Sequence, residues 1–138
     1  MSDVMFTAHA TVKGGRNGHV KSDDGLIDLN LAQPGESNET GSNPEQLFAA
    51  GYSACFDGAL NLVADKKKKD IDSEITGDVS LMKDSSDGGL KIGVVLNVTV
   101  KGVSQEEAEE LVNEAHKVCP YSKATSGNIN VELNVKAE

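Results

Sequence analysis

Apolar and polar positions alternate with a period of two in several parts of the chain, and in one long part they do not alternate at all. Residues 4–13 (VMFTAHATVK) are rich in β-branched and aromatic side chains and predict a first strand. Gly14-Gly15-Arg16-Asn17-Gly18 then reads as a turn. Two short strands are expected at 19–22 and 26–31, on either side of Asp23-Asp24-Gly25. Residues 33–42 (QPGESNETGS) form a polar loop, long enough to have a function of its own. A helix begins at Pro44 and runs to 65: Asn43 is its N-cap, Pro44 suits the first helical position, and Gln46 completes a capping box. Between Gln46 and Asp65 only Asp57 is charged. Strands follow at 73–83 and 90–101 around the loop 84–89 (DSSDGG). Ser104 and Glu107 open a second helix, 105–117, with Pro120 as its stop, and 129–135 alternates as a last strand.

The order β-β-β-α-β-β-α-β describes an α+β fold with antiparallel pairing dominant. Neither a repeat nor a linker interrupts it, so residues 1–138 read as one domain. The helix 44–65 sets a burial problem. It is apolar around most of its circumference, and a monomer with two helices and a sheet has too little surface to cover it. A homodimer wrapping two such helices between sheets would cover it.

Composition narrows the partners. Among 138 residues, 22 acids outweigh 13 bases for a net charge of −9, which disfavours nucleic acid and anionic membrane surfaces. Aromatic residues are only 4% with no Trp, which removes stacking platforms. No run is expected to reach the ~18 apolar residues of a membrane span, and residues 1–20 hold no signal-peptide core. Lys66 to Lys69 read as a solvated helix end.

Two cysteines, Cys55 and Cys119, are the candidate chemistry. The absence of a signal peptide suggests the cytosol, where structural disulfides are rare. There is no C-x-x-C and no H-x-x-H, so thioredoxin-type redox chemistry and zinc are poorly supported. Two readings stay open: small buried apolar residues, or a thiol peroxidase pair in which one sulfur is oxidised and the other resolves it. The helical neighbours of Cys55 are Gly51, Tyr52, Gly58 and Ala59, three of them small, which leaves room beside the sulfur. A thiol in an apolar helix stays protonated unless a cation helps it, and Arg16, His19 and His9 are the candidates. Glu45 reads either as an acid favoured by the helix dipole or as a carboxylate that orients an arginine. His116 reads as a dipole partner or surface residue, and Asp57 as facing away from Cys55.

Three segments together resemble the organic hydroperoxide reductase branch of the Ohr/OsmC superfamily. They are Gly14-Gly15-Arg16-Asn17-Gly18, the stretch Asn43 to Phe56 (NPEQLFAAGYSACF), and Val118 to Thr125 (VCPYSKAT). The resemblance implies an intertwined homodimer with central helices and sheets outside, whose active sites lie at the dimer interface. It implies a cytoplasmic bacterial peroxidase that reduces organic and fatty-acid hydroperoxides to alcohols. By resemblance Cys55 is the peroxidatic thiol, Cys119 the resolving thiol, and Arg16 with Glu45 the pair that activates Cys55. It implies no bound metal or cofactor, and recycling by dihydrolipoyl groups (dihydrolipoamide) on a lipoylated protein. Leu47, Phe48 and Phe56 are candidates for the alkyl pocket. The alternatives within this fold are an OsmC-like peroxidase of broader range, or a non-catalytic binding or redox-sensing protein.

Overall fold

The computed structural model describes residues 2–36 and 39–138. The elements run β1 (Ala10–Lys13), β2 (His19–Ser22), β3 (Asp28–Asn30), α1 (Pro44–Lys66), β4 (Asp72–Lys83), β5 (Leu90–Lys101), α2 (Gln105–Val118), α3 (Pro120–Thr125) and β6 (Val131–Ala137). The fold is mixed α+β, as expected, and the chain divides into two compact units, Met1–Leu47 and Phe48–Glu138.

In the first unit, β1, β2 and β3 form an antiparallel meander. The β1–β2 turn contains a short 3-10 segment at Gly15–Asn17, entered through Gly14 and Gly15 at φ 84° and 61°, where a side chain would be strained. The first strand is shorter than the sequence predicts. Residues 4–9 lie outside it, and Val4, Met5 and Phe6 are exposed. Leu31 bridges Ser42, and the Ala32 N–H donates to the Ser42 carbonyl at 2.9 Å, which closes the neck of the polar loop. Within that loop Ser37 and Asn38 lie outside the described residues. The Asn43 side chain caps the helix as the sequence predicts, accepting from the Gln46 N–H at 2.8 Å.

In the second unit, β4 and β5 pair antiparallel over their whole length, from Asp72↔Lys101 to Lys83↔Leu90. β6 pairs parallel to β5, because α2 and α3 carry the chain back along the sheet before it re-enters. Alternate β5 residues Val94, Leu96, Val98 and Val100 are buried. With them in the core lie Tyr52, Phe56, Leu60 and Val63 of α1 and Ala108, Leu111, Val112 and Ala115 of α2. By length and composition α1 is long and apolar enough to cross a membrane, contrary to the expectation that no stretch would be. Its many Ala and Gly residues dilute the apolar side chains without adding charge. Here it is a core helix, and its polar residues Asp57 and Asn61 have partners on β4. The Ser73 hydroxyl of β4 donates to Asp57 at 2.6 Å, and Asn61 bonds both.

The helix α3 is not foreseen in the sequence. Pro120 ends α2, but it also opens α3 at a position where its missing N–H costs nothing.

Candidate active site

Cys55 sits mid-way along α1 and is half-buried, whereas Cys119 is fully buried at the elbow between α2 and α3. The elbow is extended at Cys119, with φ −62° and ψ 122°, which lets its side chain turn toward α1. The Cys119 thiol donates to the Cys55 sulfur at 3.5 Å, and both thiols are free. The sulfurs are thus in van der Waals contact, and a small side-chain rotation would bring them to the ~2.05 Å of a disulfide. Burial pushes the Cys55 thiol pKa up from its ordinary value. The Tyr121 backbone N–H pulls it down, and the neighbouring Cys119 adds to the rise. Left to these groups alone, Cys55 favours the neutral thiol. The small residue at position 51 matters here: a Cβ on Gly51 would come within 2.9 Å of the Tyr121 hydroxyl, so glycine lets the tyrosine ring lie against the helix one turn before the cysteine.

Asp57 turns to Ser73, away from the sulfurs, as the sequence suggests. His116 departs from its reading as a dipole partner or surface residue. It is half-buried, and its Nδ1 is 2.8 Å from the Ser122 hydroxyl. The same hydroxyl is 2.7 Å from the Tyr52 hydroxyl, which also reaches Thr125 at 3.3 Å. Burial lowers the His116 pKa, so the ring is neutral near neutral pH. Sequence reasoning missed this cluster. Its one signal is Ser122 and Thr125 spaced three apart directly after a histidine-bearing helix end.

In the first unit, Arg16 and Glu45 meet as a fork: Nη1 donates to Oε2 at 2.9 Å and Nη2 to Oε1 at 2.7 Å. The carboxylate is the more shielded partner, 14% exposed against 41% for the arginine side chain. The hydrogen bond from Arg16 holds Glu45 below the usual carboxylate range, and Glu45 in turn raises Arg16. The fork therefore stands at neutral pH and opens only as pH falls through the depressed Glu45 value. Glu45 lies on the first turn of α1, the same helix that carries Cys55 ten positions later. Of the other two cation candidates, the His19 ring bonds Asn30 and Asp28 across β2 and β3.

An apolar cleft of about 530 Å³ opens in the second unit, lined chiefly by Phe48, Ile92, Pro120, Tyr121, Ala124 and Ile129. Its walls include the two residues that directly follow Cys119. Of the three candidate pocket residues, Phe48 lines this cleft. Phe56 does not, because it is fully buried in the core against α2 and β5. Leu47 is half-buried and belongs to the first unit. The remaining lining residues come from β5, α3 and the segment after it, which the sequence did not bring together.

Comparison with known proteins shows the family. The family model for OsmC-like proteins matches residues 35–134. The organic hydroperoxide resistance protein OhrB of Bacillus subtilis (strain 168) is 59% identical over 135 residues, spanning 96% of this chain and 99% of its own. Its paralogue OhrA from the same strain is 53% identical over 139 residues, spanning 98% and 99%. The crystal structure of Bacillus subtilis OhrB matches with a TM-score of 0.93 at 58% identity, over 96% of this chain and all of that one. The chain belongs to the OsmC-like family and, within it, to the organic hydroperoxide resistance proteins.

Proposed function

We propose that this protein is a cysteine-based organic hydroperoxide reductase, a specific form of the peroxide-detoxifying role that its family membership implies. One observation carries the reading: two free thiols stand 3.5 Å apart, and the residues directly after one of them wall an apolar cleft. In the first step the Cys55 thiolate attacks the distal peroxide oxygen. The O–O bond breaks, Cys55 becomes a sulfenic acid, and the alkoxide takes a proton from solvent to leave as the alcohol. In the second step the Cys119 thiol attacks the sulfenic sulfur. Water leaves, and the Cys55–Cys119 disulfide forms. An external dithiol then reduces that disulfide by two exchange steps and is itself oxidised to a cyclic disulfide. A dihydrolipoyl group on a lipoylated protein is the proposed donor.

Arg16 is the proposed activator. Its guanidinium favours the Cys55 thiolate against the burial that raises its pKa, and stabilises charge on the leaving oxygen. Glu45 holds the guanidinium by the fork. The cleft rewards an alkyl tail at about 25 cal/mol per Å² of apolar surface covered, which favours organic peroxides over hydrogen peroxide. The proposed working form is a cytoplasmic homodimer that needs no bound metal or cofactor.

The test is peroxide consumption with dihydrolipoamide, thioredoxin or glutathione as reductant, and with cumene hydroperoxide in competition with hydrogen peroxide. Cys55→Ser should abolish turnover. Cys119→Ser should allow one oxidation and then accumulate sulfenic and over-oxidised sulfur at Cys55. Full activity in both variants would sink the two-thiol cycle. Equal preference for the two peroxides would favour the broader-range reading.

A further inference from the structure

The elbow that carries Cys119 is tied down by one hydroxyl. Ser122, on the first turn of α3, is fully buried, and its Oγ lies 2.8 Å from His116 Nδ1 on the last turn of α2. That bond spans Cys119 from three residues before it to three residues after it. The same Oγ lies 2.7 Å from the hydroxyl of Tyr52, a fully buried residue on α1 three positions before Cys55. Thr125 donates to the Ser122 carbonyl at 3.1 Å, which leaves its own oxygen free to accept from Tyr52. The protons can be placed in two consistent ways. Tyr52 donates to Ser122 and Ser122 to His116, or His116 donates to Ser122, Ser122 to Tyr52 and Tyr52 to Thr125. Either order leaves no hydroxyl of the cluster unpaired. The backbone alone does not fix the elbow on α1. One backbone group crosses to α1, the Tyr121 N–H to the Cys55 sulfur, while Cys119 N–H to the Ala115 carbonyl and Lys123 N–H to the Cys119 carbonyl, both 2.9 Å, run along α2 and α3.

We propose that Ser122, held between Tyr52 and His116, is the positioning hub that keeps Cys119 closed on Cys55 and so sets the rate of disulfide closure. None of the three side chains touches the reacting oxygen. They act through the place they give the Cys119 sulfur and the Tyr121 N–H. Closure is an intramolecular attack at fixed geometry, so a small loss of alignment costs rate steeply. The inference deepens the thiol-cycle reading by naming what governs its second step.

Titration with the aromatic disulfide DTNB tests it without peroxide. The half-buried Cys55 attacks first and releases one thionitrobenzoate. Cys119 then attacks the mixed disulfide at the Cys55 sulfur, releases the second thionitrobenzoate and leaves the Cys55–Cys119 bond. Ser122→Ala and His116→Leu should keep the first release and slow the second about tenfold, the scale of one lost buried hydrogen bond. His116→Asn keeps a polar nitrogen or oxygen near the Nδ1 position and should return the second release to within about twofold of wild type. Tyr52→Phe removes a single oxygen and carries the test if Ser122→Ala does not fold. A wild-type second release in Tyr52→Phe and His116→Leu would overturn the proposal. So would an equal slowing of both releases, which marks general damage rather than positioning. A chain that closes its disulfide with DTNB but consumes no hydroperoxide would refute the peroxidase reading and leave the hub standing.

Discussion

At the scale of single residues, the proposed cycle asks a thiol that burial holds protonated to become a nucleophile. Cys55 has its pKa raised by desolvation, and the Tyr121 N–H offsets only part of that rise. Under the proposed mechanism the activating cation is Arg16, whose guanidinium is held on Glu45 by two hydrogen bonds. An opposite charge close to a titrating group moves its pKa by ~1–3 units, enough to matter for a thiol near neutral pH. The expected outcome is that Arg16→Ala shifts the midpoint of Cys55 alkylation up by about 1–3 pH units in a Cys119→Ser background. Arg16→Lys should lie close to Arg16→Ala, because an ammonium cannot make the fork with Glu45. Iodoacetamide labelling across pH measures this, and coincident curves for wild type and Arg16→Ala would remove Arg16 as activator. The Glu45 carboxylate adds a pH limit of its own. Its folded value is depressed, so the fork is intact above the ordinary carboxylate range and is lost as pH falls through the folded value. Glu45→Gln should therefore reproduce at neutral pH the slow alkylation that wild type shows only in acid.

At the scale of elements, the site depends on α1 lying close on β4 and β5. They approach closely at Gly77 of β4, where an added Cβ would stand 2.6 Å from the Ser53 hydroxyl and 3.3 Å from the Ala49 carbonyl. Ser53 can rotate, but the helix backbone cannot. Gly77→Val is expected to cost about 1–3 kcal/mol by overpacking, read as a lower urea midpoint. By contrast, Ser104→Ala, which removes the cap that accepts from the Glu107 N–H, should cost about 1 kcal/mol without moving α1. The elements legible in the sequence are those with a local cause. β5 spans 90–101 as predicted, and α1 starts where Asn43 and Pro44 set it. The rest needed tertiary information. α3 was hidden because a proline that ends one helix can open the next. The parallel entry of β6 depends on where α2 and α3 deliver the chain, which no local pattern encodes. The candidate site divides in the same way. Arg16 and Glu45 were chosen for complementary charge and do form the fork. Phe56 was assigned to the pocket on apolarity alone, which cannot tell a cleft wall from the core.

For the whole molecule, the unfinished feature is apolar surface. Among the described residues of the first unit Val20, Leu31 and Ala32 are the buried apolar ones, while Val4, Met5, Phe6 and Leu26 are 79%, 94%, 84% and 87% exposed. A unit this small with so little buried is marginal by itself. Residues 4–9 carry the composition of a strand, yet β1 begins only at Ala10, and among the described residues 4–9 join no strand. In the second unit Leu62 and Val118 are half-exposed on the helices and Leu90 is 65% exposed on β5. Monomeric proteins seldom leave this much large apolar side chain in water, and a second copy offers both an edge and a cover. The expectation is an obligate homodimer. Sedimentation at low micromolar concentration should give about 29 kDa, twice the 14.5 kDa of the chain. Because folding is then coupled to association, stability against urea should rise by about 1.4 kcal/mol for each tenfold increase in protein concentration. Phe6→Asp places a charge where the missing partner would sit. It should lower the dimer's stability far more than the same change at Ser2 or Ser85, exposed positions already polar. A folded 14.5 kDa species whose urea midpoint ignores concentration would show that the exposed strand and helix faces are tolerated in water, and the dimer would fall.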